Sequence, residues 1–284
     1  MSASVEHGWV VVPAVRSVLE TAYGVRTHYL HAGQGEPVVL VHGGGPGASA
    51  SAFNEVIPPL AERFSVFALD QIGNGDSDKP LIEYSPLTLV DHLAGFIDVL
   101  DLEGVRLVGH SRGAYTVMRY ALDFPRRVKQ VAFSSAASVP KAMGLELAEK
   151  ATPLPPYDGS RESVRVFLEL MLNDPNIPPE VVDRRLAAAR QPGHQEFLTS
   201  NRRYEPDPTY RQAIDIGSRV AHLTAPCCII WGEQDGRAPL ATVGQAMREA
   251  MPNAAFHVVP GSPHSIPNAK PAEYARLLLD FFGS

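Results

Sequence analysis

The chain is poor in cysteine: Cys227 and Cys228 are its only two, and they are adjacent. Sequence neighbours rarely meet disulfide geometry, so a disulfide scaffold is excluded and a reduced, cytoplasmic setting is expected. No apolar run approaches the roughly 18 residues of a membrane-spanning helix. Met1 to Gly8 lack a basic segment followed by an apolar one, so no secretory signal is expected either. Positive charge is also scarce, with 25 Lys and Arg against 31 Asp and Glu and a net charge of −6. That balance argues against nucleic acid and anionic membranes as partners. What remains is a globular composition, 45% hydrophobic and 20% charged over 284 residues, with material for a large core and a length just under two typical domains.

Glycine (23) and proline (25) are plentiful and punctuate the chain. Between them recur short apolar runs that end in turn residues: Val38–Val41, Ser65–Leu69, Val105–Val108, Gln130–Phe133, Cys227–Trp231 and Ala255–Val259. Such runs predict buried strands of a parallel sheet. Helical patterns over Leu87–Leu102, Arg112–Phe124, Leu240–Ala250 and Pro271–Phe282 alternate with them, which defines an α/β fold: a mostly parallel central sheet with helices on both faces. Ser17–Ala22 and Val25–Leu30, around Gly24, predict an opening antiparallel hairpin. From about 138 to 219 no strand-like run occurs, and proline-rich joints separate amphipathic stretches at Arg161–Leu172, Pro179–Arg190 and His194–Tyr204. This segment is expected to be a helical cap inserted between two parts of one core, 1–137 and 220–284.

The chemistry concentrates in a few loops. Gly109-His110-Ser111-Arg112-Gly113 follows a predicted strand and precedes a predicted helix. Glycines at both ends permit the sharp turn that lifts a serine hydroxyl above a sheet, making Ser111 a candidate nucleophile. A serine needs a base, and the base an orienting carboxylate. In this architecture the acid and the histidine follow in later strand-end loops. Gly232-Glu233-Gln234-Asp235 and Pro260-Gly261-Ser262-Pro263-His264 occupy those places. His264 is the expected base. Asp235, deeper in its loop than Glu233, is the expected acid. The loop His42-Gly43-Gly44-Gly45-Pro46-Gly47 has neither the lysine nor the spacing of a phosphate-binding P-loop. Beside a serine nucleophile it is expected to form an oxyanion hole, with the amides of Gly44 and Arg112 as donors. No His/Cys/Asp cluster has metal-ligand spacing, and the acidic turn Asp70–Asp78 lacks the closing glutamate of a calcium loop. Neither a metal nor an organic cofactor is expected.

Taken in order, the loop H-G-G-G-P-G-A, the turn D-Q-I-G-N-G-D-S-D-K-P, G-H-S-R-G, W-G-E-Q-D and the terminal histidine loop resemble the α/β-hydrolase superfamily across nearly the whole chain. Within it the sequence resembles the meta-cleavage-product hydrolases, which cut a C–C bond in ring-fission products of aromatic degradation. The glycine loop His42–Ala48 and the cap stretches Val166–Asp174 and Ala189–Leu198 carry that likeness. The resemblance implies a serine-dependent hydrolase acting on a 2-hydroxy-6-oxo-dienoate, a small carboxylate. It makes Arg190 a substrate-binding residue, puts Gly43 and Ser265 in the pocket wall, and implies self-association. The sequence departs from the pattern in three places. Ser265 follows His264 where that family has tryptophan. His110, Arg112 and Ala114 alter the nucleophile turn. The asparagine expected soon after the glycine loop has no clear counterpart. A carboxylesterase or lactonase using the same triad is the alternative, and a proline-releasing peptidase or a ligand receptor with a vestigial triad is a weaker one. Ser111, where an aspartate would be needed, argues against a dehalogenase or epoxide hydrolase.

Overall fold

A computed structural model describes residues 4–12, 24–145, 152–203 and 208–283. Its centre is one eight-stranded sheet: β1 (Glu6–Val12), β2 (Val25–Ala32), β3 (Pro37–Val41), β4 (Ser65–Leu69), β5 (Val105–His110), β6 (Val128–Ser134), β7 (Cys227–Gly232) and β8 (Ala255–Val259). The strand order is β1-β2-β4-β3-β5-β6-β7-β8. β1 and β2 pair antiparallel, β2 and β4 likewise, and every pairing from β4 to β8 is parallel. The opening hairpin therefore exists, but its first strand is Glu6–Val12; Ser17–Ala22 lies outside the described residues.

The parallel strands read as continuous apolar runs because both faces are covered. All six residues of β5 are buried, as are all six of β7. One face packs the helices Pro86–Val99 and Arg112–Asp123 in a cluster that includes Val39, Phe96, Leu107, Met118 and Trp231. The other packs Pro271–Phe282 against Leu40, Val66, Val108 and Ile230. Cys227 and Cys228 are buried strand residues with free thiols, and burial pushes both thiols well up, Cys228 to about 12. They are core side chains, inert at neutral pH.

Between β6 and β7 the described residues form helices and coil only. The predicted Arg161–Leu172 stands unchanged, Pro179–Ala189 stops one residue short of expectation, and His194–Arg203 matches within a residue. Three short helices, Ser138–Ala142, Pro208–Ile214 and Gly217–Val220, are too brief to leave a periodic signal. The three longer helices bury Val164, Phe167, Met171, Val182, Leu186 and Phe197 in a separate cluster that also takes in Ile72 and Tyr84 from loops of the sheet domain. Their apolar stripe thus seats the insertion on the loops at the carboxyl ends of the strands, where open α/β sheets bind ligands. Among the described residues no helix is long and apolar enough to cross a membrane.

Candidate active site

Ser111 occupies the turn between β5 and its helix at φ 52°, ψ −115°, a left-handed conformation unusual for serine. The surrounding backbone holds it there. Its amide donates to Ser134 O at 2.9 Å, and its carbonyl accepts the Ser138 hydroxyl at 3.1 Å. The flanking glycines are steric requirements: a β-carbon on Gly109 would sit 2.5 Å from Gly113 O, and one on Gly113 only 2.3 Å from Val41 O. Only a residue without a side chain lets the new helix start this close to the sheet.

The loops after β7 and β8 bring the expected partners to that hydroxyl. His264 Nε2 lies 3.0 Å from Ser111 Oγ, and both Asp235 carboxylate oxygens lie 2.9 Å from His264 Nδ1. Asp235 Oδ1 also accepts the amides of Arg237 (2.9 Å) and Ala238 (2.7 Å), which fix the carboxylate. A carboxylate can only accept the hydrogen bond from the ring, so Nδ1 carries the hydrogen and Nε2 is left with its lone pair toward the serine hydroxyl. Asp235 and His264 are both buried. Gly232, at the end of β7, touches Pro263 O and Ser262 O where a side chain would stand, which lets the two loops meet. Glu233, the other carboxylate of its loop, accepts the Gly261 amide at 2.8 Å and so braces the histidine loop from outside the triad.

The glycine loop closes over the same point. A β-carbon on Gly43 would lie 3.1 Å from Ser111 Cβ. Among the described residues, neither the Gly44 amide nor the Arg112 amide meets a backbone acceptor in the surrounding loops. His42 anchors the loop from beneath. Its Nδ1 donates to Gly43 O at 2.7 Å, Nε2 accepts the Gln71 amide at 3.2 Å, and the Gln71 side chain donates to His42 O at 2.8 Å. Burial pushes the His42 imidazole down to about 4, so it stays neutral.

Several residues of this neighbourhood gave no signal of role in the sequence. His194, at the start of a cap helix, accepts the Gly47 amide at its Nε2 and donates from Nδ1 to Gly73 O, each at 2.9 Å. It pins the cap to two core loops at once, and burial takes its imidazole down to about 4. The cap stretch containing it was recognisable, but nothing there marked the imidazole as a clamp. Phe167 and Phe197 press on Gly45 and Gly73. His110, buried with its ring 5.4 Å from that of His264, bonds to Ser134 Oγ, which in turn meets Tyr274 Oη. Burial and the adjacent His264 hold His110 well below the ordinary imidazole range.

Other expected residues stand elsewhere. The structure does not bring Arg190 to the triad: it is exposed at the end of Pro179–Ala189, and its guanidinium donates to Gly159 O at 3.1 Å. Ser265 adjoins His264, but its hydroxyl is turned onto Asn268 Oδ1 (2.8 Å) and its amide onto Met171 O of the cap (2.9 Å). The guanidinium groups that do lie against the glycine loop belong to Arg112 and Arg185. Among the described residues, His28, Asp70 and Asp76 are the one set of atoms close enough together to hold a metal ion. Asp70, however, already accepts His28 Nδ1 and the amides of Ala50 and Asp76. Burial alone would raise its carboxyl, but these donors hold it below the usual range, and the set is a structural knot under the turn.

The sequence matches the alpha/beta hydrolase fold family over residues 36–268. The chain belongs to that family and is a hydrolase. It is 30% identical over 269 residues to a 2-hydroxy-6-oxo-2,4-heptadienoate hydrolase of Pseudomonas putida, covering 93% of this chain and 95% of that one. It is 31% identical over 270 residues to a 2-hydroxy-6-oxononadienedioate/2-hydroxy-6-oxononatrienedioate hydrolase of Paraburkholderia xenovorans, covering 90% of each. Among solved structures, a meta-cleavage product hydrolase from Pseudomonas fluorescens complexed with acetates superimposes with a TM-score of 0.76 at 28% identity, over 96% of both chains.

Proposed function

We propose that this hydrolase cleaves the C–C bond of a 2-hydroxy-6-oxo-dienoate, the class of compound its relatives are named for. The likeness to two dienoate hydrolases over about nine-tenths of the chain is the observation that carries the reading, and the relay Asp235–His264–Ser111, at 2.9 and 3.0 Å, supports the hydrolytic step. The 2-hydroxy-dienoate first ketonises, taking a proton at C5, so that the 2-oxo group can accept the electron pair of the C5–C6 bond through the conjugated system. His264, oriented by Asp235, takes a proton from Ser111 or from water as the oxygen attacks the C6 carbonyl. The amides of Gly44 and Arg112 stabilise the oxyanion. Collapse breaks C5–C6, and with one water consumed the products are a carboxylic acid and a 2-hydroxy-dienoate. The described helices between β6 and β7 act as a lid over this site. No step calls for a metal or organic cofactor.

Turnover of 2-hydroxy-6-oxo-hepta-2,4-dienoate against p-nitrophenyl acetate tests the reading. Efficient dienoate cleavage is expected, and ester hydrolysis without any dienoate turnover overturns it in favour of a carboxylesterase or lactonase. That second reading is favoured by Ser265, whose small side chain turned onto Asn268 replaces the tryptophan of the C–C hydrolase pattern. Arg190 is the carboxylate-binding candidate that the resemblance supplies, and from its place on Gly159 it would have to swing inward to serve. A loss confined to dienoates in Arg190→Ala assigns it that part.

A further inference from the structure

Two guanidinium groups lie against the glycine loop with no carboxylate partner among the described residues. Arg112 follows the nucleophile, and its Cζ and Nη1 lie 3.3 Å from where a side chain on Gly44 would begin. Its Nη2 makes one long bond, 3.4 Å to Asn74 Oδ1, while Nε is sealed from solvent without an acceptor. Phe197 of the cap covers the group, with Cζ 4.9 Å from the ring centre. Arg185, from the helix Pro179–Ala189, donates Nε to Pro46 O at 2.6 Å and lies 5.7 Å from the Phe167 ring centre. Nη1 of Arg112 and both Nη atoms of Arg185 have no acceptor among the described residues, and they are not sealed off as Nε of Arg112 is.

A guanidinium taken out of water without a counter-ion is costly, and stacking on an aromatic ring offsets only part of that cost. Burial lowers both arginines to about 10, so both remain cations at neutral pH. By contrast, Arg106 and Arg127, whose side chains are also largely covered, have carboxylate partners in Glu36 and Asp98. Cations left unpaired in a site fit a ligand that supplies the negative charge.

We infer that Arg112, with Arg185 behind it, is the anchor for the substrate's carboxylate, held at the glycine loop beside Ser111. The inference rests on the C–C hydrolase reading for the identity of the ligand, but not for the existence of an anion site. The planar fork of Arg112 offers Nη1 to a carboxylate oxygen, and Arg185 adds a second cation at Pro46 of the same loop. It separates the roles of one residue: the Arg112 amide serves the oxyanion, and the Arg112 side chain serves the distal charge.

The test is titration calorimetry with sorbate, a dienoate without a scissile ketone, and with sorbamide, its neutral counterpart. Wild-type protein is expected to bind sorbate at least about tenfold more tightly than sorbamide, the scale of a charge-assisted contact. In Arg112→Gln that preference is expected to fall close to one, in Arg112→Lys to persist in part, and in Arg190→Ala to remain. Equal binding of the two by wild-type protein overturns the proposal without recourse to any variant. So does a preference that survives Arg112→Gln and disappears in Arg190→Ala. If the protein prefers sorbate through Arg112 yet turns over no ring-fission dienoate, the C–C reading fails and the anion site stands.

Discussion

At Ser111 a left-handed backbone and a hydrogen-bonded imidazole meet in one residue, and each depends on neighbours that contribute no chemistry. The relay geometry sets the expected losses. Ser111→Ala should lower dienoate turnover by at least about a thousandfold and abolish labelling by a fluorophosphonate probe. Asp235→Asn should cost about 10⁴-fold, because an amide can donate to Nδ1 and so leave the proton on the wrong imidazole nitrogen. Steady-state turnover at neutral pH measures both. Gly113→Ala forces a methyl to within 2.3 Å of Val41 O; a loss of about 1–3 kcal/mol in urea unfolding is expected from that overpacking. These residues were legible in sequence because each is tied to a local pattern, a glycine pair about a serine or a loop after a strand. The place of the Arg112 guanidinium was not legible: Asn74 and Phe197, distant in sequence, meet it, and no spacing reports where a long side chain swings. The same limit holds for Arg190, whose guanidinium rests on Gly159 O.

At the scale of elements, the cap is held less by any one helix than by the side chains it lowers into the core loops. Phe197 fills the space over Gly73 and packs edge-on to Tyr84, with ring centres 4.9 Å apart. Lys79 of the core bonds Gln191 of the cap at 2.7 Å. His194→Ala removes one acceptor and one donor that two buried backbone groups rely on. A loss of about 1–3 kcal/mol is expected, with faster amide exchange concentrated in residues 161–203 and in the loops at Gly47 and Gly73. Uniform acceleration across the sheet would contradict this docking role. Helix positions in the cap were readable from their apolar period, since amphipathicity depends on which face is covered. The partner that covers that face was not, because the loops at Ile72 and Tyr84 lie about a hundred residues earlier in the chain and carry no matching period.

For the molecule as a whole, the buried histidines govern the response to acid. His42 and His194 are lowered to about 4, His92 to about 3 and His110 well below its ordinary range, burial being the first cause in each. All four are neutral when folded, whereas in the unfolded chain they titrate near 6.5. Between about pH 6.5 and 4 the unfolded state therefore binds more protons, and stability falls as pH falls. Each such histidine contributes up to about 1.4 kcal/mol per pH unit in that window. Urea midpoints from pH 7.5 to 4.5 should be flat above 6.5 and drop steeply below it. His92→Asn should make the lower limb shallower; a midpoint unchanged down to pH 4.5 would count against neutral burial of these rings.

The imidazole of His194 joins the Gly47 amide to the Gly73 carbonyl, and so ties the helices between β6 and β7 and the glycine loop into a single mechanical part. Lid exchange between relatives is then not a modular operation. A transplanted helical segment that lacks this histidine, or that meets a glycine loop of different length, should leave the glycine loop beside Ser111 out of place. Chimeras designed for new substrates would need the lid and the loop His42–Ala48 moved together as one cassette.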